Sequence, residues 1–324
     1  MPRALGINAV MLFGWEDVAY GTAATNYKRV PFISANLGDE QPLIEDDILG
    51  LGRDPSEPLL DVITNGGSIT VPLDLRHIGF WLRLLFGSPT TTDDTPGSGD
   101  YTHVFASGAA ALPSASIEIG FPDIGEYFLN TGIMAQSIRI ELSPTGRAQA
   151  VIELVGQQEA RSGSSVDGTP IDASAVARFT QFQGSIDRNN SALAAIVSSG
   201  LTFSNGLDPV RVVRNDGLID GVDALKTSIQ GNISARFQDT TLYNDAGSTT
   251  PIEIDLAYTR AADEKLTFTV HEARLPKARQ NIAGAGGVEA TYNYQAQKDE
   301  SAGEMLEVTL IDDVAGDYDT IAAS

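Results

Sequence analysis

Apolar and polar positions alternate strictly through much of the second half of the chain. In TSIQGNISARF (227–237), Ile229, Gly231, Ile233, Ala235 and Phe237 alternate with Gln230, Asn232, Ser234 and Arg236. In KLTFTVH (265–271), Leu266, Phe268 and Val270 share one face, as do Ala290, Tyr292, Tyr294 and Ala296 in VEATYNYQA (288–296). A period of two predicts antiparallel strands with one dry face and one face that is wet or covered by a partner. QSIRIEL (136–142) and RAQAVIELVG (147–156) show the same period on either side of an SPTG turn. SIEIGF (116–121) opens a further strand, and YTHVF (101–105) is a short one.

The remaining segments break that rhythm. LLDVITNGGSITVPLDL (59–75) predicts a hairpin with its tight turn at Asn65-Gly66-Gly67. In DLRHIGFWLRLLFG (74–87), Leu75, Ile78, Leu82 and Leu85 recur at helical spacing, with Asp74 placed to cap the start and Gly87 to end it. Gly79 inside this helix implies close packing at that point. RFQDTTLYNDAG (236–247) predicts at most a short second helix. Residues 14–38 carry Trp15, Tyr20, Tyr27 and Phe32 without a sustained period, so 1–45 reads as an extended arm whose rings need cover from its own domain or a neighbouring subunit. Residues 87–114 form a long loop rich in Ser, Thr, Gly, Pro and Asp, and 157–174 has the composition of a linker.

The halves also resemble one another. SIEI (116–119) and PIEI (251–254) lie 135 positions apart (252 − 117), and GGSITVPLDL (66–75) matches QGNISARFQD (230–239) at an offset of 164 (231 − 67). VIELVGQQEA (151–160) likewise matches VEATYNYQAQ (288–297). An insertion at the long loop accounts for the change of offset. The expected fold is mainly β: two tandem, duplicated antiparallel β-sandwich or barrel domains, each flanked by a short α-helix. The divisions are an arm at 1–45, a first domain at 46–160 containing the loop 87–114, a linker at 161–174 and a second domain at 175–324. Two copies are too few for a solenoid. They suit a ring, because a unit that closes as six gives, after fusion in pairs, a ring of three chains.

Composition narrows the function. The 324 residues have 43 acids against 21 bases, a formal charge of −22, which argues against a protein that holds nucleic acid by neutralising phosphates. There are no cysteines, hence no disulfide, thiolate metal site or cysteine nucleophile. No apolar run is long enough to span a bilayer, and the N-terminus lacks a signal-peptide pattern, so synthesis in the cytoplasm is expected. The three histidines, His77, His103 and His271, lie in separate elements without metal-ligand spacing. The Gly-rich IAGAGGVEA (282–290) leads into a strand rather than a helix and lacks phosphate-loop spacing. NDGLIDGVDA (215–224) has its acids wrongly spaced for a calcium loop, and no nucleophile elbow is present. No catalytic, cofactor or metal site is expected.

Several stretches resemble the tail tube, or major tail, proteins of long-tailed bacteriophages of the siphophage type: FGWEDVAYGT (13–22), VPFISANLG (30–38), the segment 46–87, the segment from GLTFSNGLDPV to YNDA, and KLTFTVHEARLPKARQNIAGAGGVEATYNYQAQ. The resemblance covers nearly the whole chain and rests on order and texture rather than a sharp motif. It implies a non-enzymatic structural protein that self-assembles into stacked rings, a lumen through which DNA passes without specific binding, and an often acidic lumen wall. It also implies a virion-tail location after assembly in the host cytoplasm, with the tape measure, tail terminator and distal tail proteins as partners. Candidate inter-subunit contacts are Trp15, Tyr20, Tyr27 and Phe32 of the arm, Tyr101 and Phe105 of the loop, and Arg236 on the polar face of its strand. The alternative is a two-domain β-sandwich that binds carbohydrate or a host surface.

Overall fold

The computed structural model describes residues 3–45, 48–50, 53–54, 57–94, 99–277, 279–280, 282, 286–319 and 321. The first half contains β1 (Val10–Trp15), β2 (Lys28–Arg29), β3 (Ser34–Glu40), β4 (Leu43–Ile44), β5 (Leu59–Leu60), β6 (Thr64–Pro72), helix α1 (Ile78–Phe86), β7 (Thr90–Asp93), β8 (Tyr101–Ala106), β9 (Ala115–Phe121), β10 (Glu126–Leu142), β11 (Gln149–Gly156) and β12 (Gln158–Ser162). The second contains β13 (Gly184–Arg188), β14 (Ser191–Ala192), β15 (Ile196–Ser204), β16 (Leu207–Val210), β17 (Gly221–Ala224), β18 (Ser228–Arg236), helix α2 (Thr241–Asp245), β19 (Ile252–Ala261), β20 (Glu264–Arg274), β21 (Glu289–Gln297) and β22 (Leu306–Asp312). The chain is mainly β with two short helices, as the alternation predicts.

All the strands but β4–β5 and β16–β17, which form separate two-stranded ribbons, join in one large, branched antiparallel sheet. Eight of them hydrogen-bond in the order β3-β6-β11-β10-β15-β18-β21-β20. The ladder therefore runs without a break from the first half into the second, through β10 and β15. Directly opposed residues share a face. One row reads Ile69, Ile152, Ile138, Phe203 and Ile229, each no more than 2 % exposed. The adjacent row on the other face reads Ser34, Thr70, Val151, Arg139, Thr202, Gln230, Gln295 and Arg274.

Helix α1 packs on the dry face at β10 and β15. Every residue from Ile78 to Phe86 except Arg83 is buried, so the helix is apolar nearly all round, as a helix enclosed within a core must be. Phe86 packs on Phe203 with ring centroids 4.8 Å apart, and Asn205 Nδ2 donates to the carbonyls of Leu85 and Ala135 at 2.9 Å. Gly87, at φ 87°, ends the helix where expected. Asp74 is not its cap. The helix begins after His77, and Asp74 lies 2.7 Å from His77 Nδ1 with its side chain fully buried. The C-terminal segment explains Gly79: a Cβ there would fall 2.2 Å from the Tyr318 ring.

Four sequence expectations are corrected. Asn65-Gly66-Gly67 is not a turn but lies inside β6, and β3 rather than the preceding run pairs with it. Gly67 sits at φ 141°, where a Cβ would meet the Asn36 carbonyl oxygen at 1.6 Å, so the glycine marks close approach of a neighbouring strand. Residues 1–45 are less an arm than three strands of the sheet: β1 pairs with β9 and β2, and β3 with β6. The alternation fails in VMLFGW because both faces of β1 are covered. Phe13 meets Phe80 and Trp81, while Gly14 packs against Ala24 and Tyr27. The loop 87–114 contains the β7–β8 hairpin, whose β8 pairs with β22, although residues 95–98 lie outside the described residues. The linker-like segment contains β12, which pairs with β10.

Two outcomes follow. Gly79→Ala should destabilise the fold by about 1–3 kcal/mol through overpacking on Tyr318, outweighing a helix-propensity gain of about 1 kcal/mol. Gly163→Ala, with nothing within 4 Å of its Cβ, should stay within about 0.5 kcal/mol of wild type in the same denaturant titration. The second concerns the Arg76–Asp313 pair, 2.6 Å apart, which ties the entry to α1 to the C-terminal segment. The hydrogen bond from Arg76 holds the Asp313 carboxyl below its ordinary 3.8. A depressed acid stabilises the fold above its unfolded value and ceases to do so as pH falls through its folded value. The stability difference between wild type and Asp313→Asn should therefore be full above about pH 5 and disappear in strong acid, as read from urea midpoints.

Candidate functional site

No single crevice stands out as a reaction centre; the surfaces available for work are faces and edges of the sheet. The wet face of the eight-strand ladder is lined by hydroxyls and amides: Ser68, Ser137, Ser204, Thr202, Gln230, Asn232, Asn293 and Gln295. An open cleft of about 1020 Å³ runs along it between Arg139 and Gln297. Its charges are sparse and mixed. Arg139 pairs with Glu141, Arg236 stands opposite Glu289, and Arg274 Nε donates to Gln297 at 3.0 Å. Glu40, Glu153 and Glu272 add three acids and Lys265 one base on this face, so most of the −22 lies elsewhere.

Two ribbons carry unusual apolar exposure. β4–β5, between β3 and β6, shows Leu43, Ile44, Leu59 and Leu60 at 50–68 % exposure. β16–β17, between β15 and β18, is flanked by Val212, Val213 and Leu225 at 48, 106 and 62 %. Val62, at the base of the first ribbon, lines one cleft with Val212, Val213 and Ile219 of the second. Two-stranded ribbons with bare leucines and valines are marginal in water without cover.

The proposed contact residues divide into two groups. Trp15, Tyr27 and Phe105 are 4, 1 and 0 % exposed, within the chain's own core. Trp15 Nε1 donates to the Tyr318 carbonyl at 2.9 Å, and the Arg83 guanidinium lies 4.8 Å from its ring centre. Phe105 stands opposite Val308. Tyr20, Phe32 and Tyr101 are half-buried, and Arg236 is exposed. Burial pushes the Tyr20 hydroxyl well above its ordinary value, with the nearby Glu16 charge adding to the effect. The two apolar ribbons lie outside the contact residues expected from the sequence. Their signal was available in paired leucines between turn-forming residues, but periodicity gives no reason for them to be left bare.

The titratable groups serve structure. Asp312, buried on β22, accepts from the Tyr318 hydroxyl and from the Val314 amide at 2.8 Å, with His103 Nε2 at 3.2 Å. Burial raises the Asp312 carboxyl, and burial together with the Asp312 charge raises the Tyr318 hydroxyl well above its ordinary value. His271 faces Glu304 and Glu307, with ligand-type atoms within 4.8 Å of one another, a grouping that sequence spacing did not reveal because it bridges β20 and β22. Burial, then the Glu307 charge, raises Glu304. No described arrangement joins a nucleophile, a base and an orienting group.

No curated protein is similar enough to be matched. The family description "Phage tail tube protein" matches residues 6–296, nearly the whole length. With a sheet that offers a polar face, open edges and apolar ribbons in place of a reaction centre, the chain belongs to the phage tail tube protein family.

Proposed function

We propose that the chain forms trimeric rings of six-fold pseudo-symmetry, each chain contributing two copies of one ancestral unit, and that the rings stack into the tail tube. Membership of the family already makes the chain a structural, non-enzymatic virion component of the tail, one that assembles with itself and with other tail proteins. No helix among the described residues is long and apolar enough to cross a membrane.

The correspondence of strand register between the halves carries this reading. The pairings β1–β9, β9–β10, β10–β11, β11–β6 and β6–β3 recur as β13–β19, β19–β20, β20–β21, β21–β18 and β18–β15. Individual partners recur too. Leu37 opposite Gly67, and Gly67 opposite Leu154, become Leu201 opposite Gly231, and Gly231 opposite Tyr294. One bulge is repeated. β10 steps from Asn130 to Ile133 against Ile117 and Ala115, and β20 steps from Val270 to Ala273 against Ile254 and Ile252. β-Propensity makes strands alike, but it does not supply a common order, register and bulge. The ladder revises the alignment read from the letters. Ile117 corresponds to Ile254 and Ile119 to Leu256, so the two I-E-I stretches stand two positions out of step, a slip that leaves the face unchanged. Between α1 and β9 the β7–β8 hairpin is extra; α2 leads to β19 without such a hairpin.

A repeated unit with unlike edges closes head to tail, and six units are three chains. The wet face then lines the lumen. A wall that neutralised phosphates would bind DNA by counterion release. Here the bases stand beside acids among hydroxyls and amides, so DNA is neither held nor read. The two ribbons of each chain, six in a ring, make the contacts between rings. Tyr20, Phe32, Tyr101 and Arg236 remain candidates at the lateral interface. Trp15, Tyr27 and Phe105 act there only by fixing the backbone that presents them. The tape measure, tail terminator and distal tail proteins are the expected partners along and at the ends of the tube.

Negative-stain microscopy of the purified chain should show rings and tubes; discrete monomers at high concentration would favour the surface-binding alternative. Leu59→Asp combined with Leu60→Asp should leave the melting temperature within a few degrees, because both residues are exposed, yet abolish tubes while rings persist. Preformed tubes should show no salt-dependent DNA binding at about 0.1 M salt, where a phosphate-binding wall would retain measurable affinity.

A further inference from the structure

The intrachain junction between β10 and β15 predicts the junction between chains. Residues 137–142 of β10 pair with 199–204 of β15, covering the outer edge of the second unit: Ser137 is opposite Ser204, Ile138 opposite Phe203, Arg139 opposite Thr202 and Ile140 opposite Leu201. Beneath that cover Leu201 and Phe203 are 1 and 0 % exposed. The first unit's counterpart of β15 is β3, which ladders only with β6 among the described strands. Its Ala35 and Leu37, the counterparts of Ser199 and Leu201, are only half-buried against the core. β3 thus presents an open strand edge, with apolar side chains whose equivalents are sealed elsewhere in the same molecule.

The segment that would seal it is set by the same correspondence. β10 maps onto β20 at an offset of 140 (270 − 130), which carries Ser137, Arg139 and Ile140 onto Lys277, Arg279 and Gln280, just beyond the end of β20. β15 maps onto β3 at an offset of 164 (201 − 37), which carries Ser204, Thr202 and Leu201 onto Glu40, Gly38 and Leu37. Taking the proposed tube as given, we propose that β3 of one copy pairs with the continuation of β20 of the next, with Lys277 opposite Glu40, Arg279 opposite Gly38 and Gln280 opposite Leu37.

Two features not used in making that alignment agree with it. The first is charge. Lys277, Arg279 and Glu40 are exposed, and none of the three takes part in an ion pair among the described residues. The alignment sets the lysine on the glutamate and places the arginine diagonally from it, both within reach across an antiparallel pair. The second is Pro276, which would weaken an ordinary internal strand. It falls on the counterpart of Gln136, the residue that the β10 bulge leaves without a partner in β11. At that place the ladder uses a carbonyl, with Asn205 N donating to Gln136 O at 2.8 Å, and proline retains its carbonyl. The contact is heterologous, joining a leading edge to a trailing one, as ring closure demands.

The absence of cysteine makes the test free of background. Assembled tubes of the Glu40→Cys, Lys277→Cys double variant should, on oxidation, yield covalent dimers and closed trimers on denaturing gels, while either single variant stays monomeric. In parallel, Glu40→Lys and Lys277→Glu should each slow assembly at least tenfold, and the two together should restore it. Tubes that form normally yet fail to cross-link, with single charge reversals that assemble at the wild-type rate, would overturn the junction and leave the tube reading intact. Wild-type protein that forms neither rings nor tubes would overturn both.

Discussion

The ladder between β10 and β15 is the constraint on which the rest depends. Through it, the backbone hydrogen bonds of the first half continue into the second, and a single dry face extends beneath eight strands. Ile138 and Ile140 are buried on one side of that seam and Phe203 and Leu201 on the other. Without the seam, the outer edge of β15 would be an open template, and Phe203 would lose much of the cover that lets it pack on Phe86. The seam also fixes the relative placement of the two halves, because a ladder of six opposed pairs sets direction, register and face together.

Helix α1 makes that geometry rigid. A sheet with one apolar face needs a second layer. Part of that layer is a nine-residue helix, buried on nearly every side, held between the sheet, β1 and the C-terminal segment. Phe13 meets Trp81, Phe80 meets Tyr318, and Trp15 donates to the Tyr318 carbonyl. Segments from the two ends of the sequence thus meet on one helix. Phe13 and Trp15 of the N-terminal stretch are consumed in this task, whereas Tyr20 and Phe32 stay half-buried.

Much of this was legible in the letters, and the failures share one physical origin. Strands with one wet face, such as β18, β20 and β21, announce themselves by alternation because water and core impose opposite preferences on successive residues. β1 does not, since Leu12 and Gly14 are covered as fully as Met11 and Phe13. Gly67 was misread because glycine serves both turns and close strand contacts, and only the partner, Asn36, decides between them. The likeness between the halves was visible, but the proposed correspondence of strand pairings shifts the letter match by two positions, a slip that a period of two tolerates. The apolar ribbons were missed for the opposite reason: leucine in a sequence signals burial, and here Leu43, Leu59 and Leu60 stand exposed. The grouping of His271 with Glu304 and Glu307 depends on strand pairing that sequence spacing does not encode.

The central claim is that one chain supplies two equivalent units whose polar face lines the lumen. A helical reconstruction of the assembled tube by cryo-electron microscopy tests it most directly. The account predicts three chains per ring, with β3 and β15 at equivalent radii and the row from Ser34 through Thr202 to Arg274 facing the channel. Six chains per ring, or a channel lined by the opposite face of the ladder, would contradict it.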